Sequence, residues 1–353
     1  MSQLQYTSIE RNIMKKYLLP ENGNFYKANL HCHSTYSDGM YSPEEIKELY
    51  KNKGYSIVAY TDHDIMIPHP ELCDDDFLAL NGFEVEIEPE GVPFYKRKNC
   101  HICYVALSPD NVVQPMWHRS KYLTGNAPTH RDEVIFDETL PDYERVYSGE
   151  KIPEMMQIGR DKGFYVTYNH PTWSLANYHD YMSFNSMNAM EIVNHECCEL
   201  GHPEHNERVY DDMLGGGKRI FCIATDDTHK IVSHFFGAFT VIKAQKLEYK
   251  TITEALVAGD FYASEGPEIK NLWYEDGKVH IECSEAREIY IVKGVRRNVL
   301  IKAEECSLCE ATFDIFPDDI YFRLVVVDYE GKKAYTNAYF VDELLNEETL
   351  NEE

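Results

Sequence analysis

No run of about 18 apolar residues occurs in the 353-residue chain, and its opening, MSQLQYTSIERNIMKKYLLP, has no apolar core of the secretion-signal type. The expectation is a soluble, cytoplasmic protein with no membrane partner. Positive charge is scarce: 34 Lys and Arg stand against 60 Asp and Glu, a net charge of −26. Such a field repels a phosphate backbone, which argues against an extended nucleic acid as partner, and it concentrates divalent cations. Internal repeats and low-complexity segments are absent as well. The ten cysteines, without an export signal, read as reduced thiols. Two C-x-x-C pairs occur, Cys100/Cys103 and Cys306/Cys309, and a zinc ribbon needs both. The first lies in a strand-like run, where residues three apart face opposite sides. The second stands in a distant region of different pattern, so a four-thiolate zinc site is not expected.

What is present is the composition of a packed globular protein, 43% hydrophobic and 13% aromatic. Seven apolar, strand-like runs recur at 27–33, 56–62, 77–87, 101–107, 164–170, 189–195 and 219–227. Between the first two, Ser42 reads as an N-cap and Pro43 as the first helical residue, with Ile46, Leu49 and Tyr50 on one face. Proline-started, glycine-ended segments precede the fifth and seventh runs. This β-then-α rhythm predicts an α/β barrel or a doubly wound sheet. Two stretches break it. Residues 108–150 are polar, proline-punctuated and aperiodic, an irregular insertion or lid. From 261 to 345 short alternating strands predict a β-rich C-terminal module. The expected division is therefore an extension over 1–26, a main unit over 27–260, the module, and a frayed acidic tail over 346–353.

The chemistry is concentrated at strand ends. In NLHCHSTYSDG, His31 and His33 stand two apart, so an extended backbone projects both imidazoles to one side. A single H-x-H proves little, and the question is whether partners follow. They do: Asp38 in the Ser-Asp-Gly turn, His63 in YTDHD, Glu84 in NGFEVE, His101, His170 in YNHP, and Asp227 with His229 in ATDDTH. Nearly every strand delivers an imidazole or carboxylate near one end. Buried together and unpaired they would be costly, whereas zinc, manganese or iron suits such N/O donors.

The order H-x-H, D-G, T-D-H, G-x-E, strand His, N-H-P and D-x-H resembles the PHP (polymerase and histidinol phosphatase) superfamily over about residues 27–235. The resemblance implies a distorted seven-stranded β/α barrel with two or three divalent metal ions at the strand ends. Carried over residue by residue, His31, His33, Glu84 and Asp227 hold one metal. Glu84 bridges to a second, completed by His101 and His170, and Asp38, His63 and His229 hold a third. Position 38 is Asp where several members carry His. The implied activity is a phosphoesterase in which metal-activated hydroxide attacks a small phosphomonoester or nucleotide. NHPTW, the DDTH ending and GDFYASEGP (259–267) are similar to CehA/McbA-type metallohydrolases, which implies hydrolysis of a carboxyl ester, amide or carbamate as the alternative. A non-catalytic scaffold is the third reading. His195, in EIVNHE, is the candidate acid for the leaving group, or else a partner to a ligand. Arg119 and Lys121, with Arg97 and Lys98 beside them, are the candidate phosphate contacts. Tyr168 and Trp173 are candidate apolar walls, Tyr262, Ser264 and Gly266 a candidate approach from the module, and Asp62 and Asp64 either orient His63 or cap its turn.

Overall fold

The structure, a computed structural model, describes residues 15–350. The chain is mixed α/β. After a two-residue strand β1 (Lys16–Tyr17) come β2 (Asn24–Asn29), β3 (Ile57–Tyr60), β4 (Leu78–Ile87), β5 (Cys100–Ala106), β6 (Phe164–Tyr168), β7 (Ala189–Asn194) and β8 (Phe221–Thr225). These last seven are the seven runs expected from the sequence, and they neighbour one another in chain order. Pairing is parallel between β2, β3 and β4 and again between β6, β7 and β8, but antiparallel on both sides of β5. Among the described residues the ladder does not close into a barrel: one isolated bridge, Cys32 to Thr228, joins the two ends. The physical reason is that β2 ladders instead with β9 (Phe239–Ala244), which leads through β10 (Phe261–Ser264) into the C-terminal strands.

Helices follow their capping chemistry. In α1 (Pro43–Lys51), Ser42 and Glu45 form a reciprocal capping box, Pro43 starts the helix, and Ile46 and Tyr50 are buried. Helix α2 (Lys151–Asp161) packs so tightly on β5 that a Cβ on Gly159 would collide with the Tyr104 ring. Short helices α3 (Tyr178–Ser183) and α4 (His195–Glu199) precede α5 (Glu207–Gly215), and α6 (Tyr249–Ala258) ends on left-handed Gly259. Helix α5 starts four residues after Pro203, since residues 203–206 turn back to pair with β7: Asn206 N donates to Ile192 O. None of these helices is long and apolar enough to cross a membrane.

Residues 108–150 hold only two 3₁₀ turns, Ala127–Thr129 and Arg131–Glu133. The segment is irregular but packed, with Trp117, Ala127 and Val134 closing a small core on Ile65.

The C-terminal strands are β11 (Ile269–Glu275), β12 (Lys278–Ala286), β13 (Glu288–Lys293), β14 (Val299–Lys302), β15 (Leu308–Asp314), β16 (Tyr321–Val327), β17 (Lys333–Thr336) and β18 (Tyr339–Phe340). Burial alternates along β12 and β13, β16 is buried throughout, and the apolar faces enclose a second core around Leu272, Ile281, Ile289 and Leu324. Strand β1 adds to β11 and places Leu18 and Leu19 in that core, so the described part of the N-terminal extension belongs to this layer. The frayed tail is corrected in part: residues 341–350 are helix α7 (Val341–Leu350), anchored by buried Val341 and Leu344. Residues 1–14 of the extension and 351–353 of the tail lie outside the described residues.

Candidate metal centre

Strand β2 stops at Asn29, but the next residues stay extended because both neighbours hold them. Cys32 N donates to Thr61 Oγ1 (2.9 Å), and His33 N donates to Thr228 O (2.9 Å). His31 and His33 are thereby buried side by side, with their Nε2 atoms 3.1 Å apart. The following turn is folded by one carboxylate. Asp62 accepts from the backbone N and the hydroxyl of both Ser34 and Ser37, at 2.6–3.1 Å. That turn needs Gly39, whose Cβ would meet the His33 carbonyl, and it swings Asp38 toward the histidines. Asp62 therefore folds the Ser34–Ser37 turn rather than capping the turn of His63.

Glu84, inside β4, is the hub. Its Oε1 lies 3.1 Å from His31, 3.2 Å from His101 and 3.6 Å from His170; its Oε2 lies 3.2 Å from His63 and 3.4 Å from His33. Asp227 Oδ1 is 3.2 Å from both His31 and His33 and 3.6 Å from His229. Asp38 Oδ1 sits 3.6–4.0 Å from His229, His33 and His63. All nine residues carried over from the family resemblance therefore meet in one place. They fall into four overlapping groups: His31/His33/Asp227, His31/Glu84/His170, His63/Glu84/His101, and His33/Asp38/His63/His229. This partition differs from the expected one, because His33 also joins the group around Asp38.

Backbone strain marks the same spot. His170 (φ 25°), Asp227 (φ 54°) and Asp64 (φ 67°) occupy the left-handed region that side chains with a Cβ avoid, a conformation tolerated where the surroundings over-determine it. Electrostatics agree. Burial pushes the Glu84 carboxyl up, yet His31, His101 and His63 outweigh it and hold the group well below the carboxylate range. Asp227 behaves alike, with burial opposed by His31 and His229. Burial, and then His33, lower His63 to about 3 and leave a neutral ring with one lone pair to give, whereas against burial Glu84 lifts His101, and Asp227 lifts His229, to about 10.

The donor set fits divalent cations. His33 Nδ1, His63 Nδ1, both nitrogens of His101 and Asp227 Oδ1 are buried without a hydrogen-bond partner. Each such atom costs about 1–3 kcal/mol unless something satisfies it. Carboxylates and imidazoles, with no thiolate among them, suit zinc, manganese or iron.

Beyond the nine stands a ring of partners that the sequence reading passed over. His31 Nδ1 is 2.7 Å from Glu191, which also accepts from His170 N, Thr225 and Asn194. His229 Nδ1 is 2.9 Å from Glu196, and His170 Nδ1 is 3.3 Å from Ser174 Oγ. Asn169 donates to Glu84 (2.8 Å), and Asn194 donates to Asp227 (3.0 Å). Glu204 receives the backbone N–H groups of Thr172 and Trp173, fixing the NHPTW loop. The available signal was an acid inside an apolar strand: AMEIVN puts Glu191 where burial demands a partner.

Most of the remaining expected residues have other partners. Arg119 is tied to Asp142 and to the carbonyls of Glu138 and Leu140, and Lys121 to both oxygens of Glu144. Arg97 pairs with Glu88, and Lys98 with Asp180. Arg119 also lines a cavity of about 400 Å³ between the insertion and α2, with Trp117, Phe136 and Ile158, that none of the nine borders. The His195 ring packs on Gly237 and lies 4.0 Å from Glu199. Trp173 does flank the centre, its ring 5.2 Å from His101 and 5.0 Å from His170, whereas Tyr168 is core. Tyr262 is buried in the module's core, and Ser264 and Gly266 close a tight turn.

The insertion reaches the centre from behind. Asn126 bonds to the carbonyls of Ser37 and Thr35, while Thr124 and Arg145 hold the Asp64 carboxylate. Gln114 bridges Asp64 O and Met66 N. It is a strap across the two loops that carry Asp38 and His63.

No family model matches the chain, and no curated protein matches it in sequence. Among solved structures it is similar to a two-domain protein containing a predicted PHP-like metal-dependent phosphoesterase from Bacteroides vulgatus, at 14% identity and TM-score 0.43, covering 92% of this chain and 98% of that one. It is also similar to a protein assigned as a metal-dependent phosphoesterase from Bifidobacterium adolescentis (15% identity, TM-score 0.33, 60% and 89% covered). A third likeness is to an amidohydrolase from Chromobacterium violaceum with bound sulfate and no metal (13%, TM-score 0.35, 57% and 87%). These likenesses are slight, and the site's own side chains carry the reading that follows.

Proposed function

We propose that this chain is a metal-dependent hydrolase of phosphate esters, taking a small phosphomonoester or nucleotide. The observation that supports the reading is the meeting of nine N/O donor residues, Glu84 and Asp227 among them, with buried donor and acceptor atoms left over. His31, His33, Glu84, Asp227, His101, His170, Asp38, His63 and His229 are the residues that would hold two or three divalent ions. Bound there, such ions acidify water and offset charge growing on a leaving group.

The chain's own part is to set tautomers and orientation. Glu191 holds the His31 proton on Nδ1, which frees Nε2 toward the centre. Glu196 does the same for His229. Trp173 covers His101 and His170 and limits water at that side. In this reading residues 27–260 are the hydrolytic unit and 261–345 a module laid against it.

Hydrolysis of a carboxyl ester, amide or carbamate is the second reading. The observation favouring it is that Arg97, Lys98, Arg119 and Lys121 are each engaged by a carboxylate, which weakens the case for them as phosphate contacts. Turnover of p-nitrophenyl phosphate and p-nitrophenyl acetate, with and without added manganese, separates the two. Metal-dependent phosphate release with little esterase activity is expected; esterase activity alone moves the assignment to the second reading.

A further inference from the structure

Helix α4, the loop that follows it and the first turn after β10 meet through three side chains that the metal centre does not use. Cys198 Sγ lies 3.6 Å from His205 Nδ1, and His205 Nε2 lies 2.9 Å from Glu265 Oε1. Glu265 is largely buried, while the ring and the thiol both reach solvent. An imidazole oriented by a carboxylate at one nitrogen and facing a thiol with the other is the arrangement that activates a sulfur nucleophile. The neighbouring Cys197 is buried, so the chemistry falls on Cys198 alone.

We propose that Cys198 is a reactive thiol, with His205 as its base and Glu265 orienting that base, and that it is oxidised by hydroperoxides. His205 takes the thiol proton. The thiolate attacks one peroxide oxygen, the O–O bond breaks and an S–O bond forms. The second oxygen leaves as hydroxide and takes the proton from His205 to become water, leaving a sulfenic acid. Sulfur is oxidised and peroxide reduced, with no other reactant. This reading needs no metal and is independent of the hydrolase assignment.

The test is hydrogen peroxide treatment of the full chain at pH 7 with dimedone present, followed by peptide mass spectrometry. Cys306 and Cys309, exposed on the module, serve as internal references. An ordinary thiol is only a few per cent ionised at that pH, so Cys198 is expected to react about tenfold faster than either reference. His205→Ala should bring it down to their rate. Equal rates in the unaltered chain, or an unchanged Cys198 rate in His205→Ala, overturn the proposal. If that variant also opens the fold, which labelling of Cys197 would reveal, Glu265→Gln decides instead: a slower Cys198 with Cys197 still protected supports the triad, and an unchanged rate refutes it.

Discussion

The chain buries charge in two ways. On the module side each buried cation meets its own anion: Lys293 lies 2.7 Å from Asp319, and Arg323 makes two 2.8 Å contacts with Asp211 on α5. At the ends of β2–β8 the carboxylates of Glu84, Asp227, Glu191 and Asp38 have imidazoles, and no Lys or Arg, as their ion-pair partners among the described residues, and several of those nitrogens have no hydrogen-bond partner. A folded chain keeps a buried carboxylate only where hydrogen-bond donors satisfy it or positive charge is at hand. In the module that charge is covalently part of the protein. At the centre it is only what the imidazoles carry when protonated, and a dissociable cation is the counterpart that would take the place of those protons. The same contrast separates structure from function: removing a module cation harms the fold, whereas removing a centre ligand harms what the fold can hold.

Variants can break this contrast, beginning with the largest effect. Glu84→Ala removes the carboxylate shared by five histidines, and metal content and turnover should both fall to background while circular dichroism stays native. His33→Ala should act alike, since His33 belongs to two of the four groups. Glu191→Ala leaves every ligand in place but releases the His31 proton, and should cost about 10–100-fold in metal affinity or rate. Arg323→Ala is the converse case. It should lower unfolding free energy by about 3 kcal/mol in denaturant titration, with metal content unchanged. Arg145→Ala, which loosens the strap on Asp64, should weaken metal retention by a smaller factor than Glu191→Ala, read by competition with a chelator. Arg119→Ala should stay within about 0.5 kcal/mol in stability and leave turnover close to that of the unaltered chain.

Much of this was legible in the sequence because periodicity and short motifs are local. Short apolar runs located β2 through β8, and Ser42-Pro43 located α1. The nine donors stood out because each falls just past or within an apolar run. What escaped was decided at long range. Glu191 was hidden in AMEIVN, where its neighbours made the strand read as plain core. The strap could not be seen, since Asn126 and Arg145 meet Ser37 and Asp64 across 81–89 positions of chain. Arg119 and Lys121 looked free because their partners, Asp142 and Glu144, come more than twenty residues later. The ladder's failure to close depends on β9 taking the edge of β2, which no local signal announces.

The most direct test is elemental analysis of the purified chain beside Glu84→Ala, each dialysed against metal-free buffer. The charge argument predicts two or three equivalents of divalent metal in the unaltered protein and close to none in the variant. Equal metal in both, or none in either with the fold intact, would contradict it.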